Sequence, residues 1–320
     1  MKNIIVAGGA GYIGSHMVKM LGESGFNPVT VDNLSTGHRD SVLCGDFEEC
    51  DIADSAGMGR IFEKYNPSAV MHFAAFSLVA ESVSKPDKYY RNNVAGTLNL
   101  LDTMRKYACD RFIFSSTAAV FGNPEYLPID EEHPKKPVNP YGTSKLIVES
   151  ILRDYSRAYG LEYVIFRYFN AAGHDESGDL KERHNPETHL IPLVVQAAKG
   201  ERPHISVYGD DYDTPDGTCV RDYIHVNDLC SAHLAGLRYL ENGGDSSDFN
   251  LGNGSGFSVK EIIEKVRLVS GVDFDVKTEE RRAGDPPSLV ADSFKAKKIL
   301  GWQPEYTDIE DIIKTVWKTA

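Results

Sequence analysis

The sequence predicts a doubly wound α/β fold: a parallel sheet with helices on both faces and a smaller C-terminal α/β lobe. Three observations predict it. Short β-branched runs alternate with helical stripes through the first half of the 320-residue chain. A glycine triplet stands directly between the first run and the first stripe. Beyond Asn170 the texture turns polar and the elements shorten. Strands separated by helices of this length imply βαβ units, and hence a parallel sheet with right-handed crossovers.

The elements follow in order. Asn3–Ala7 is a β-branched run closed by glycines. Residues 12–23 place Ile13, Met17, Val18 and Leu21 on one helical face. Residues 28–31, 69–73 and 111–114 read as further strands. Between the last two, residues 89–106 carry Val94, Leu98, Leu101 and Met104 on one side of a helix. Pro140 opens another, with Val148, Ile151, Leu152 and Tyr155 recurring at i, i+3, i+4 and i+7. Residues 162–167 form a strand, and residues 171–187, crowded with Gly, Pro, His and charge, form a loop. A last helix over residues 308–318 sets Ile309, Ile312, Ile313 and Val316 at helical spacing. The boundary between the two parts falls near residue 170, with about 219–250 returning to pack on the first part.

Composition narrows the class. Hydrophobic residues make up 41% and charged residues 25%, the balance of a globular protein. The net charge of −13 repels a phosphate backbone, so no nucleic acid partner is expected. The apolar run at residues 4–7 is too short for a signal peptide, and a glycine turn follows it at once. No apolar run approaches the roughly 20 residues that span a bilayer, so no membrane is expected and the chain reads as cytoplasmic. Cys44, Cys50, Cys109, Cys219 and Cys230 form no CxxC pair and no zinc spacing with histidine. They read as reduced thiols, with no metal.

Gly8-Gly9-Ala10-Gly11-Tyr12-Ile13-Gly14 joins the first strand to the first helix. Glycines at 8, 11 and 14 allow a tight turn, close approach of backbone to a pyrophosphate, and close helix–strand packing. The helix N-terminus adds free N–H groups and a favourable dipole. Asp32 ends the second strand about 20 residues on, where a carboxylate bonds an adenosine ribose and repels a 2′-phosphate. The pattern predicts NAD rather than NADP. Residues 1–170 are accordingly the NAD-binding domain and 171–320 the substrate lobe.

Tyr141-Gly142-Thr143-Ser144-Lys145 sets a phenol and an ammonium on one helix face. Free tyrosine titrates near pH 10 and is a poor base at neutrality. A nearby Lys⁺ favours the phenolate, which can remove a hydroxyl proton while hydride leaves the same carbon. Ser115-Ser116-Thr117 closes a strand, and the Thr117 hydroxyl is placed to bridge substrate and Tyr141.

The glycine spacing and the Tyr-x-x-x-Lys set resemble the extended short-chain dehydrogenase/reductase superfamily, whose sheet is Rossmann-like. Further segments resemble its UDP-glucose 4-epimerase family. They are GGAGYIGSH at 8–16, DNLSTGH at 32–38, HFAA at 72–75, ESVSKP at 81–86, NNVAGT at 92–97, RYFNAAG at 167–173, YGDDYDTPDGTCVRDYIHV at 208–226 and RRAGDPP at 281–287. The resemblance implies a bound NAD held by Gly8, Gly11, Tyr12, Ile13, Gly14, Asp32, Asn33, Asp51, Ile52, Phe73, Ala74, Ala75, Asn92, Ser115, Tyr141, Lys145 and Tyr168. Asp51 and Ile52 contact adenine in that reading, and Lys145 also holds the nicotinamide ribose. A UDP-sugar is assigned to Ser77, Thr117, Tyr141, Asn170, His189, Leu190, Tyr208, Arg221, Tyr223, Arg282, Asp285 and Leu289. Arg221 and Arg282 match diphosphate ligands, where the guanidinium fork bonds two oxygens at once. Asp285 matches a uridine-ribose ligand.

The implied chemistry is inversion at C4 of a UDP-hexose, UDP-galactose to UDP-glucose. Tyr141 takes the 4-hydroxyl proton, NAD⁺ takes the C4 hydride, the 4-keto sugar turns, and hydride returns to its other face. A homodimer through helices at 89–104 and 141–155 is also implied. Ser77 and Leu289 depart from some members, which carry lysine and tyrosine there. Leucine is the smaller and opens the space beside the sugar's C2, so UDP-N-acetylhexosamines are expected as additional substrates. Competing readings are a UDP-pentose or UDP-uronate 4-epimerase, a nucleotide-sugar dehydratase or decarboxylase, and a non-enzymatic NAD-binding regulator. Dehydratases carry Asp-Glu after the catalytic threonine, and related decarboxylases an acid at the second position. Thr117 is followed by Ala118-Ala119. The regulator reading conflicts with the presence of both Tyr141 and Lys145.

Overall fold

The computed structural model describes residues 1–282 and 285–319. In chain order its first elements are β1 (Asn3–Ala7), α1 (Tyr12–Glu23), β2 (Asn27–Asp32), β3 (Asp46–Glu49), α2 (Ser55–Tyr65), β4 (Ala69–His72), α3 (Val79–Ser84) and α4 (Pro86–Tyr89). They continue with α5 (Thr97–Lys106), β5 (Arg111–Ser115), α6 (Pro140–Tyr159), β6 (Glu162–Tyr168), β7 (Asn170–Ala172), α7 (Leu190–Ala198), β8 (Ile205–Tyr208) and β9 (Val220–His225). The rest comprises α8 (Val226–Glu241), β10 (Ser247–Leu251), β11 (Gly256–Ser258), α9 (Val259–Ser270), β12 (Val276–Glu279), β13 (Ser288–Leu289), α10 (Phe294–Leu300) and α11 (Ile309–Thr319). No helix among the described residues is long and apolar enough to cross a membrane.

Successive side chains of a strand point to opposite faces, and both faces of this sheet are covered. Ile4 and Val6 pack with Met17, Val18 and Leu21 of α1 and with Leu229, Leu237 and Leu240 of α8. Ile5 and Ala7 pack on the other side with Met58, Ile61 and Phe62 of α2, Leu100, Leu101 and Met104 of α5, and Val148 and Leu152 of α6. The sheet between these layers has seven strands, all parallel, ordered β10-β6-β5-β4-β1-β2-β3. The doubly wound parallel sheet expected from the sequence is therefore present. A second sheet is built on β9, which pairs with β11, β13 and β7, and β12 pairs with β8. A third core, including Ile191, Val194, Ile262, Ile263, Ile312 and Val316, lies among α7, α9 and α11.

Some elements escape the sequence reading. β3 is an edge strand of sequence DFEE with no buried residue, so it carries no apolar alternation. α2 contains two glycines, and its start is fixed by Asp54, whose Oδ1 accepts from the N–H groups of Ala56 and Gly57 at 3.1 and 3.0 Å. The expected helix at 89–106 is continuous with α4 and α5, but a π-helical stretch spans Tyr90–Gly96. That widening moves the buried face to Leu100, Leu101 and Met104, leaving Val94 and Leu98 half-buried. It also turns Asn93 inward. Asn93 accepts from the Phe76 N–H and donates to the Phe76 carbonyl, both at 3.0 Å, and to Ser144 Oγ at 3.1 Å.

The glycine turn depends on missing side chains. Gly8 has φ +79°, and a Cβ there would lie 2.5 Å from the Ala74 nitrogen. A Cβ on Gly14 would lie 2.1 Å from the Gly8 carbonyl oxygen, a backbone atom that cannot step aside. Gly14→Ala is expected to cost about 2–3 kcal/mol, the range of overpacked core positions. The thermal midpoint should fall by several degrees, and an unchanged midpoint would show that the turn yields.

Candidate active site

Asn139 starts α6, its Oδ1 accepting from the Gly142 N–H at 2.8 Å, with Pro140 in the first turn. Tyr141 and Lys145 then share the buried face, 8% and 3% exposed. Lys145 Nζ donates to the Ser115 carbonyl at 2.7 Å and lies 4.8 Å from the centre of the Phe114 ring. Burial pulls the Lys145 pKa down to about 7, against the opposing pull of Glu149 one turn on. The sequence points to Lys145 as the group that favours the Tyr141 phenolate. In the structure burial holds the phenol above its ordinary value, and the hydrogen bond that works the other way comes from Thr117. Thr117 Oγ1 also accepts from the Ala119 N–H at 3.1 Å, which caps a single turn over Ala118–Val120.

Behind this group lies a charged cluster that sequence reasoning does not find. Arg167 is completely buried, donating to Glu149 through Nε at 2.9 Å and Nη2 at 2.8 Å, and to Asp248. Glu149 also accepts from Ser116 Oγ at 2.7 Å. A second network runs under Ser115. His233 Nδ1–H donates to the Leu229 carbonyl at 2.8 Å, so its Nε2 accepts from Ser115 Oγ at 2.9 Å. The His233 ring contacts Phe73 and Phe166, with centroids 5.0 and 4.6 Å apart. Tyr168 hydrogen-bonds Ser115, and burial raises its phenol. The signals for these residues were a lone Glu, Arg and His inside otherwise apolar runs.

At the glycine turn, α1 begins at Gly11 with no side-chain cap and no acidic residue in its first turn. Its N–H groups and dipole are free for an anion. Asp32 lies beside it, accepting from the Ala10 and Leu34 N–H groups at 3.0 and 2.8 Å, while burial raises its carboxyl. Asn33 donates to Asp51 at 2.8 Å. Ile52 is 3% exposed and packs in the second core. Ala74 backs Gly8, and Phe73 N–H bonds the Ala7 carbonyl at 2.7 Å. Ile13 and Ala75 are half-buried, Asn92 donates to Asn93, and Tyr12 OH donates to the Gly173 carbonyl at 2.6 Å. These positions fit a dinucleotide: a tight backbone turn that a Cβ at Gly8 or Gly14 would break, an uncapped helix N-terminus, and a carboxylate at the ribose end.

The sugar-nucleotide positions gather on β9. Tyr223 pairs with Asn170 and Arg221 with Leu289. Leu289 also packs with Ala118, Val120, Phe121 and Ile129, which brings it to the Thr117 turn. Arg221 donates to the Val220 and Pro286 carbonyls at 2.9 Å, and Asp285 lies between it and Arg282, at 3.8 and 3.0 Å. Arg282 covers the Tyr208 ring at 4.9 Å. Asp222, unmarked by the sequence, accepts from the Asn253, Gly254 and Ala291 N–H groups, and burial pushes its pKa up to about 6. Ser77 is exposed, while His189 and Leu190 stand at the start of α7.

The sequence profile of the GDP-mannose 4,6 dehydratase family matches residues 5–316. A UDP-glucose 4-epimerase of Streptococcus mutans serotype c is 50% identical over 318 residues, 98% of this chain and 95% of that one. The chain belongs to the UDP-glucose 4-epimerase family. The crystal structure of the Brucella ovis UDP-glucose 4-epimerase in complex with NAD superposes with TM-score 0.97 at 51% identity, covering 99% of this chain and 98% of that one. The UDP-Glc/GlcNAc 4-epimerase of Campylobacter jejuni gives 0.88 at 44%, covering 100% and 99%. Thr117 is followed by Ala118 and Ala119, whose side chains cannot transfer a proton.

A buried lysine is held at a cost that depends on pH. The folded pKa near 7 lies below the unfolded value near 10.4, so charging costs most below pH 7 and nothing above about pH 10.5. Lys145→Met should therefore raise the thermal midpoint at pH 6, by a gain on the order of 4 kcal/mol before the lost Ser115 hydrogen bond is subtracted. The gain should shrink as pH rises towards 10. Melting curves across that range check this, and an advantage that is flat or grows with pH contradicts it.

Proposed function

We propose that this chain is an NAD-dependent epimerase that inverts C4 of a UDP-hexose and interconverts UDP-galactose and UDP-glucose. The observation that carries the reading is the convergence of Tyr141, Thr117 and Lys145 at the ends of β5 and α6, beside a turn shaped for a dinucleotide. Bound NAD⁺ supplies a reversible acceptor for the hydrogen on the sugar's C4. Tyr141 takes the 4-hydroxyl proton, and Thr117 holds phenol and hydroxyl in line. Lys145, tied to the Ser115 carbonyl, fixes that strand end and favours the phenolate electrostatically once its own charge is held by the cofactor ribose. Arg221 and Arg282 take the diphosphate, which replaces the Asp285 carboxylate between them, and Asp285 turns to the uridine ribose. Asn170, Tyr223, Tyr208, His189 and Leu190 complete the nucleotide cradle.

The same proposal divides the chain into an NAD unit over residues 1–170 and a UDP-sugar lobe over 171–320, with 219–250 on the first. It also makes the protein a cytoplasmic homodimer. Val94, Leu98, Ile147 and Ile151, half-exposed along two neighbouring helices, support that interface.

Purified protein mixed with UDP-galactose, without added cofactor, is expected to produce UDP-glucose, read from the anomeric proton by NMR. Tyr141→Phe should lower kcat by about 10²–10⁴, the worth of a general base, while nucleotide absorbance remains with the protein. No conversion even after NAD⁺ is added would end the UDP-hexose reading and move the test to UDP-pentoses and UDP-uronates.

Leu289 sets the breadth of the pocket. Its side chain lies against the Thr117 turn, and the similar Campylobacter jejuni protein is named for both glucose and N-acetylglucosamine. Leu289→Tyr should lower kcat/KM for UDP-N-acetylglucosamine by at least about tenfold, about 1.4 kcal/mol, with little change for UDP-glucose. Equal activity of both proteins on the acetylated sugar sinks the idea.

A further inference from the structure

The loop before α7 contains a duplicated Glu-x-His: Glu182-Arg183-His184 and Glu187-Thr188-His189. We propose that these two glutamates and two histidines form a binding site for one divalent transition-metal ion of the zinc class. Each offers one ligand atom, and the four atoms lie within 4.8 Å of one another. Glu182 Oε1 is 2.9 Å from His184 Nδ1 and 2.8 Å from His189 Nδ1, and His189 Nδ1 is 2.9 Å from Glu187 Oε1. The two rings stand 5.0 Å apart.

Hydrogen bonding satisfies this set only by sharing. An imidazole nitrogen carries at most one proton, yet His189 Nδ1 faces two carboxylate oxygens. Glu182 in turn directs one oxygen at two rings, and its side chain is only 2% exposed, so its charge has little water to turn to. A single cation at the centre bonds all four atoms. Ligands at roughly 2.0–2.2 Å in a tetrahedron stand about 3.4 Å from each other, so the three pairs now at 2.8–2.9 Å would open slightly, within the 4.8 Å the four atoms already span. Two imidazoles with two carboxylates suit zinc and its neighbours rather than calcium or magnesium, which take oxygen donors.

The surroundings add to this. The Glu187 carboxylate is oriented by the Thr188 and His189 N–H groups, at 2.7 and 2.8 Å. That is the outer support metal ligands ordinarily have. Glu182 also acts electrostatically on His16 and His174, two buried rings whose Nε2 atoms meet no hydrogen-bond partner among the described residues. The His184 ring stands edge-on to Tyr12, centroids 6.1 Å apart. An ion here ties the loop to the glycine turn and takes no part in the proton transfer at Tyr141; the His189 ring is then an ion ligand, and a nucleotide meets this end of α7 at its uncapped N-terminus rather than at the ring. The inference stands on its own geometry, whether or not the epimerase reading holds.

The test uses the whole protein, stripped with a chelator and desalted. Titration with Co²⁺ should give the visible absorption of a tetrahedral site. Zn²⁺ should displace it at one ion per chain by calorimetry. Glu187→Gln keeps an oxygen for the two backbone N–H groups and His184→Ala leaves the Glu187–His189 pair in place. Each should weaken Zn²⁺ binding at least tenfold, about 1.4 kcal/mol. Cys44→Ser and Cys50→Ser, which remove the two half-buried thiols, should leave it unchanged. No stoichiometric uptake, uptake that survives both loop substitutions, or uptake lost with a thiol overturns the site.

Discussion

A guanidinium with no access to solvent has to be neutralised where it lies. Arg167 meets this with Glu149, held by two parallel bonds, and with Asp248. These three side chains come from β6, α6 and β10, so one interaction fixes the helix that carries Tyr141 and Lys145 against the central strands and against the returning segment of the second half. Glu149 also receives the Ser116 hydroxyl, which sets the strand end next to Thr117. Buried ion clusters of this kind are poor sources of stability, since desolvation roughly cancels the attraction. Their effect is on uniqueness. Removing one partner strands a charge at about 3–5 kcal/mol, so a slipped α6 or an undocked β10 is strongly disfavoured.

The same logic explains where stability comes from. Tyr141, Lys145, Asp32 and Asp222 are all ionisable groups whose burial opposes their charged forms. The apolar layers on the two faces of the sheet, and the third core in the lobe, offset those costs. Function is thus placed at the carboxyl ends of strands, where a rigid sheet tolerates strained chemistry.

The sequence makes some of this legible and hides the rest for physical reasons. β1, the glycine turn and α1 are readable because each element's local pattern agrees with its neighbours. Tyr141 and Lys145 are readable because helical spacing alone brings them together. β3 is not, since an edge strand need bury nothing. The π-helical stretch is not, since the contacts it serves, Asn93 to Phe76 and Ser144, lie across the fold. Glu149, Arg167, Asp248 and His233 act through partners dozens of residues away, and periodicity carries no information at that range. The Thr117 hydrogen bond to Tyr141 is intermediate: the residue is visible from its strand end, but its reach to the phenol depends on how β5 and α6 pack.

Electrostatics at β9 closes the argument about how an acidic chain holds an anionic substrate. The net charge is −13, so the mean field repels a nucleotide sugar. Binding therefore needs local cations that are gathered and then released to the ligand. Arg221 and Arg282 meet across a single Asp285, which is shared between them and only 28% exposed on its side chain. A diphosphate offers more charge and more acceptor oxygens than one carboxylate, so under the proposed function it would displace Asp285 from arginines that are already positioned. β9 makes the exchange useful. Arg221 pairs with Leu289, Leu289 packs on the turn after Thr117, and Thr117 bonds Tyr141. In the proposed reading, the diphosphate end of the site is thereby joined in three packed steps to the phenol assigned the proton.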